Sequence, residues 1–337
     1  MQISNGMKIQ LPYKYDDIIS TDNLLAAWQE FIRGKRQATD VQDFSLHLMD
    51  NILSLNQELA KHTYCHSGYE SFYITDPKPR HIHKALVRDR LLHHAVYRLL
   101  YPFFDRTFIA DSYSCRVNKG GHKALARFYS MSRQVSRNNS RTGWVLQCDI
   151  RKFFASIDQR TLIGILHQYI PDQDILALLE NIIVSFQTSP GRGLRLGNLT
   201  SQLFVNVYMN EFDQFVKHKL KAKYYIRYAD DFVFLSPDRS QLVKYVSTIQ
   251  SFLDNKLRLT LHPKKIHIQT LVSGVDFLGW VHFPYHRDLR KTTKHRMIRR
   301  VQESPVPATV QSYLGLLKHG NTHTVRQQVL NSYWLWR

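Results

Sequence analysis

Asp230 and Asp231 stand side by side between two short apolar runs, Tyr224-Tyr225-Ile226 and Phe232-Val233-Phe234-Leu235. Runs of this length and composition read as strands, so the two carboxylates fall at a hairpin turn. Adjacent carboxylates repel each other. The cost is tolerable if the turn is open to water, or if a divalent cation sits between them. Magnesium takes one or two carboxylates together with substrate phosphates. Two such ions can stabilise both the attacking and the leaving oxygen of an in-line phosphoryl displacement. The plainer alternative is a solvated turn, in which Asp is a favoured residue.

A third carboxylate favours the chemical alternative. Trp144-Val145-Leu146-Gln147-Cys148 reads as a buried strand that Asp149 ends, and Phe154 and Ile157, three apart, begin a turn or helix. Between these segments, Gly193 and Gly197 make a flexible entry to a helix lined by Leu203, Val207 and Met209. The blocks "DIRKFFASID", "GLRLGNLTSQLFVNVYMNEFD" and "YIRYADDFVFLS", in that order, resemble motifs A, B and C of reverse transcriptases. Residues 76–100 and 111–125 look like the fingers segments of bacterial reverse transcriptases. Residues 257–268 resemble motif D, and residues 274–280 the primer-grip hairpin. The residues before Cys65 match no named motif. Ser201-Gln202 stands where retroviral enzymes carry Ser-Pro, and in this the chain is most similar to the reverse transcriptases of bacterial and phage diversity-generating retroelements.

The resemblance implies an α+β fold, a right-hand polymerase with fingers, a palm of antiparallel sheet and helices, and a helical thumb. It places a helical extension at residues 1–68, fingers at 69–135, palm at 136–286 and thumb at 287–337. It implies an RNA-directed DNA polymerase that makes cDNA from a dedicated noncoding RNA, with error-prone incorporation. Two Mg²⁺ ions, with Mn²⁺ as a substitute, would be held by Asp149, Asp230, Asp231 and the Ile150 carbonyl. Phe154 would exclude a ribose 2′-hydroxyl, unless it is a core residue; Phe153 beside it is the other candidate for the core. Arg80 and Arg116 would clamp the triphosphate, with Lys78, Lys84 and Lys119 as neighbours. Lys265 would donate a proton to pyrophosphate, with Lys264 one register step away. Gln202 would lie near the templating base, where its amide can pair with more than one partner. Asp158 reads as a surface or capping residue. The partners implied are the template RNA and its cDNA, dNTPs, and a small accessory protein oligomer. Two alternatives remain open: a retron-like or phage-defence reverse transcriptase, and an RNA-binding maturase or scaffold without polymerase activity.

The composition fits these expectations. Forty-six basic against 27 acidic residues give a formal charge of +19, which calls for a polyanionic partner and salt-sensitive binding. Charge alone does not separate RNA from DNA or from an anionic membrane surface. At 43% hydrophobic residues the chain is globular, and no run approaches the ~18 apolar residues of a membrane span. The start reads as cytosolic, without a secretory segment. Cys65, Cys115 and Cys148 are too few and too scattered for a zinc site or disulfide framework, which suits a reducing cytoplasm, and Cys148 reads as a small buried hydrophobe. His93-His94 reads as part of a helix surface rather than a metal site.

Apolar spacing predicts two or more helices between residues 21 and 63, joined by a basic link, Arg33-Gly34-Lys35-Arg36, either a solvated loop or an RNA-backbone contact. It predicts a strand at 69–74, helices at 86–104, 161–186 (broken near Pro171) and 241–257, and a polar loop at 130–142. A basic helix is expected at 287–301, where seven Lys or Arg lie between Arg287 and Arg300, and further helices at 310–317 and 325–334.

Overall fold

The computed structural model of the chain describes residues 8–74 and 80–335. Two compact units interleave along the sequence. One comprises Met1–Ala110, Ile150–Lys219 and Gln250–Thr260; the other comprises Asp111–Asp149, Leu220–Ile249 and Leu261–Arg337. In chain order the elements begin with α1 (Tyr15–Ile19), α2 (Thr21–Phe31), α3 (Thr39–Leu46) and α4 (Leu48–Ala60). Then come β1 (Tyr69–Ile74), β2 (Arg80–Ala85), α5 (Val87–Asp105), α6 (Gly121–Val135) and β3 (Trp144–Asp149). The middle holds α7 (Phe153–Ser156), α8 (Gln159–His167), α9 (Gln173–Val184), α10 (Leu199–His218), β4 (Tyr225–Tyr228) and β5 (Asp231–Ser236). The remainder is α11 (Arg239–Leu257), a 3₁₀ turn (Pro263–Lys265), β6 (His267–Thr270), β7 (Val275–Phe277), β8 (Trp280–His282), β9 (Arg287–Leu289), α12 (Lys291–Glu303), α13 (Pro307–Leu317) and α14 (His323–Leu335). Among the described residues no helix is long and apolar enough to cross a membrane.

In the first unit, α5 is the central helix, with α2 and α10 packed against it. Leu24, Ala27, Leu91, Leu92, Ala95, Leu203 and Val207 are buried, at the three- and four-residue spacing that gives each helix an apolar face. Local signals set the helix starts. The Ser20 hydroxyl accepts from the Asn23 amide, the Asp158 carboxylate from the Thr161 amide, and Asp172 from the Asp174 and Ile175 amides. Asp158 is thus a capping residue. The antiparallel hairpin β1–β2 pairs Tyr69 with Ala85 through to Ile74 with Arg80.

In the second unit a four-stranded antiparallel sheet has the order β4-β5-β3-β6, and a three-stranded sheet the order β7-β8-β9. Val145, Ile226, Val233 and Leu235 join Phe128, Met131 and Trp280 in this unit's core.

Three sequence expectations change. Residues 130–135, expected in a loop, are the last turns of α6. Leu125, Phe128, Met131 and Val135 continue one buried stripe, and the intervening polar residues fall on the outer side. The loop begins at Ser136 and turns through Arg137, Asn138 and Asn139, all at positive φ. Residues 287–289, expected as the start of a helix, are the strand β9, because Leu289 packs inward while the backbone pairs with β8. His93 lies on helix α5 but not on its surface. It is 1% exposed and its Nε2 meets His66 Nε2 at 3.2 Å, because α5 is enclosed on most sides. The basic link at 33–36 is an exposed turn after α2 with Gly34 at φ +71°.

Candidate active site

Strand register brings the carboxylates together. Asp149 is the last residue of β3 and Asp231 the first of β5, and the two are direct cross-strand partners. Directly opposed residues project to the same face, with Cβ atoms about 5 Å apart. Two and four residues along, Gln147 faces Val233 and Val145 faces Leu235, so the face bearing the acids continues into the second unit's core. Tyr228 closes the β4–β5 hairpin against Asp231, leaving Ala229 and Asp230 as a two-residue turn. Ala229 sits at φ +55°, a left-handed conformation that favours glycine. The turn is braced from inside by Arg227, which is 1% exposed. Its Nη1 donates to the Ala229 carbonyl at 3.2 Å and its Nη2 to Ser112 Oγ at 3.2 Å. Backbone bonds from Arg227 N to Asp111 O and from Tyr113 N to Arg227 O fix the neighbouring segment.

The cluster is electrostatically crowded. The Asp231 carboxyl is pushed up to about 7, by desolvation first, then by the Asp230 and Asp149 charges and a hydrogen bond with Asp149; Lys265 acts the other way. Asp231 nevertheless remains exposed to solvent, so water offsets much of the desolvation and the like charges are the durable cause. Lys265, at the end of the 3₁₀ turn, places Nζ 2.7 Å from Asp149 Oδ2. The His262 amide donates to the Asp149 carbonyl at 2.8 Å and ties that turn to the strand end. Cys148, next to Asp149, is buried with its thiol pushed up to about 12, chiefly by desolvation, which suits packing rather than nucleophilic chemistry.

Crowded carboxylates beside a lysine fit a divalent cation, which would relieve their mutual repulsion. Among the described residues no group of three or more His, Cys, Asp or Glu side chains encloses a metal by itself. A cation held here would leave part of its shell to water and substrate phosphates.

The profile of the reverse transcriptase (RNA-dependent DNA polymerase) family matches residues 75–282. The chain belongs to the reverse transcriptase family. It is 24% identical to the protein YkfC of Escherichia coli K12, over 65% of this chain and 65% of that protein. It is 26% identical to the group II intron-encoded protein LtrA of Lactococcus lactis subsp. cremoris, over 63% of this chain and 36% of LtrA. The match thus spans less than two thirds of either relative. The fold is similar to that of Candida albicans telomerase, solved in complex with a fragment of telomeric RNA, with a TM-score of 0.54 at 13% identity, covering 84% of this chain and 57% of that one. The α+β class with antiparallel sheets is that of the right-hand polymerases.

The other residues that the family resemblance points to fall in different places. Asp149, Asp230, Asp231, Lys265 and Arg116 belong to the second unit, and Ile150, Phe154, Gln202 and Arg80 to the first. Lys264 is exposed beside Lys265, and it is Lys265 that reaches Asp149. Phe153 is 3% exposed while Phe154 is only half-buried, so Phe153 is the core ring of the pair. The Phe154 carbonyl accepts from the Leu194 amide at 2.8 Å, which fastens α7 to the loop before α10. Gly193 makes this approach at φ +108°; a Cβ there would lie 2.7 Å from Thr188 Oγ1. Arg116 donates to the Ser112 carbonyl at 3.0 Å. Lys119 lies over the Tyr113 ring, and Lys84 is paired with Asp40 at 2.6 Å, so Lys84 is already occupied. Arg80 opens β2. Lys78 lies outside the described residues.

Two residues escaped the sequence reading. Arg227 had a usable signal, a charge within the apolar run of β4. Arg195, 2% exposed, stacks 3.8 Å from the Tyr69 ring centroid and 5.1 Å from that of Phe186. Burial lowers its pKa to about 10, and its three side-chain nitrogens have no hydrogen-bond partner among the described residues. No local pattern marks it.

Proposed function

We propose that the chain is an RNA-directed DNA polymerase that copies a dedicated noncoding RNA into cDNA, in the error-prone manner of diversity-generating retroelements. The observation that carries the polymerase reading is the register that opposes Asp149 to Asp231, with Asp230 in the adjoining turn and Lys265 on Asp149. Asp149, Asp230, Asp231 and the Ile150 carbonyl would hold Mg²⁺, or Mn²⁺ in its place. The metal would supply positive charge at the primer hydroxyl and the reacting phosphates. Lys265 would donate a proton to the departing pyrophosphate. Arg116 and Arg80 would grip the triphosphate by forked contacts. Phe154, the more open of its pair, would close the space a 2′-hydroxyl needs.

On this reading residues 69–135 act as fingers, 136–286 as palm and 287–337 as thumb, after a helical extension at 1–68. The basic helix α12 would face the duplex. Ser201-Gln202 supports the retroelement type, and the +19 charge supports a stable complex with RNA. A small accessory protein oligomer and a cytoplasmic setting belong to the same proposal. The similarity to the intron-encoded protein LtrA favours one second reading, an RNA-binding maturase or scaffold without polymerase activity. Primer extension by the purified chain on a primed RNA template, with the cDNA from co-purifying RNA sequenced, separates them. Extension with one dominant template and clustered misincorporation is expected. RNA binding without dNTP incorporation would leave the second reading. Faithful copying of any primed template would remove the retroelement type.

A further inference from the structure

Two cavities of the first unit differ in kind. One, of about 260 Å³, is basic, with Lys35, Arg90, His93, His94 and Gln202 in its lining. The other, of about 740 Å³, is an apolar groove between α8, the last turns of α10 and the end of α11. Ile165 and Leu257 are buried in its floor. Phe215 and Phe252, both half-buried, stack on each other there with ring centroids 4.1 Å apart. The Tyr208 hydroxyl donates to the Leu257 carbonyl at 2.5 Å and fastens the end of α11 to α10, so the groove is preformed.

Three observations point to its occupant. First, Gly164 lies inside α8 and is exposed on the groove. A glycine there weakens the helix relative to alanine. A Cβ would meet nothing within 4 Å, so packing inside the chain does not require the glycine. The bare backbone instead lets a second helix lie close against α8. Secondly, Glu211 is the one acid among the lining residues, and it is paired with Lys8. Lys219 and Lys256 stand exposed on the rim, and neither makes an ion pair among the described residues. Thirdly, α10 and α11 both end here, and their carboxyl ends give the floor partial negative charge. A small free anion in the groove would meet that charge. Acids on the flank of a larger partner would meet the two lysines instead.

We propose that this groove docks an amphipathic helix of a partner protein, with leucine or aromatic anchors against Ile165, Phe215 and Phe252 and acidic residues beside them on Lys219 and Lys256. Anchors at i, i+3, i+4 and i+7 are how such a helix fills a hydrophobic groove. The lining elements are all helices, so the groove offers no strand edge to which an extended segment could pair. A second copy of the chain is disfavoured, because two chains of charge +19 repel and the lysines call for acids. The groove belongs to the first unit and the aspartates to the second, and the inference does not rest on the polymerase reading.

The test is fluorescence anisotropy of the full chain with labelled helical peptides that share one leucine and phenylalanine pattern and are flanked by either glutamates or lysines. The glutamate peptide should bind the wild type. It should lose about tenfold or more in affinity to Gly164→Leu, which fills the groove from an exposed helical position. Leucine favours helix over glycine, so that variant should melt no lower than the wild type. Lys219→Glu combined with Lys256→Glu leaves the floor untouched and should reverse the preference, releasing the glutamate peptide and taking up the lysine one. Binding of the glutamate peptide that is absent up to about 1 mM, or unchanged in Gly164→Leu, would overturn the proposal. So would equal binding of the two peptides by the wild type. A single-stranded RNA that Gly164→Leu releases while the peptides stay bound would assign the groove to nucleic acid instead. A solution mass that falls in Gly164→Leu would assign it to a second copy of the chain.

Discussion

The acidic cluster of the second unit and the basic cavity of the first are both gatherings of like charge, held by different means. The aspartates are placed by backbone, through a paired register and a two-residue turn, and Asp231 stays open to solvent. The basic groups are placed by helix packing, and burial first, then the neighbouring basic groups, lowers the pKa of His93 and His94. Backbone pairing can hold charges together in water until a cation relieves them. Packing can hold cationic residue types together only by suppressing part of their charge or by reserving them for an anion.

The contrast breaks most sharply at Asp149. Asp149→Asn or Asp230→Asn should lower dNTP incorporation by about a thousandfold or more, since several kcal/mol of charge stabilisation is lost. The fold should persist. For Asp149→Asn, relief of a like-charge pair and loss of an exposed ion pair to Lys265 nearly cancel, so stability should shift by less than about 1 kcal/mol in thermal melts. Extension at the wild-type rate would remove the metal assignment. Next comes Lys265→Met, expected to slow single-turnover incorporation by about a hundredfold, the usual scale for a lost general acid, while Lys264→Met stays near wild type. Equal effects at both positions would deny Lys265 a distinct role. A smaller change is expected from Phe154→Ala, which should shift the rNTP-to-dNTP efficiency ratio about tenfold or more towards rNTP. An unchanged ratio would show that Phe154 is not the gate. Smallest is Ala229→Gly. Relief of the left-handed alanine should stabilise the fold by up to about 1 kcal/mol in chemical denaturation, because no side chain is strained there. A loss of stability would mean that the turn is not strained.

The acidic site was legible because its information is local. Asp149 terminates a recognisable strand and Asp230-Asp231 interrupts two apolar runs, so each acid falls at a strand end, and the resemblance to motifs A and C is what places them together. Apolar spacing of three and four residues located most helices. It failed at residues 130–135, where polar residues on the outer face of α6 masked the stripe of Met131 and Val135. It failed again at residues 287–289, where three residues are too few to show alternation. The basic cavity was not legible. Gln202 and the link holding Lys35 drew attention singly, but together with Arg90 and His94 they come from three separated segments, and nothing local groups them. Arg195 failed for the same reason, because Tyr69 and Phe186 lie far from it in sequence. His93-His94 was assigned to a helix surface because adjacency says nothing about which helix face another helix will cover.

The pairing of Asp149 with Asp231 has a consequence for how this region can change. Side chains alternate between faces, so a shift of one residue in β3 or β5 would move every later side chain to the opposite face. Single-codon insertions or deletions within Trp144–Asp149 or Asp231–Ser236 should therefore be far less tolerated than substitutions at the same positions. Chimaeras built from related chains should exchange the two strands as matched lengths and place their junctions in the loop at residues 136–143, where no ladder constrains the count.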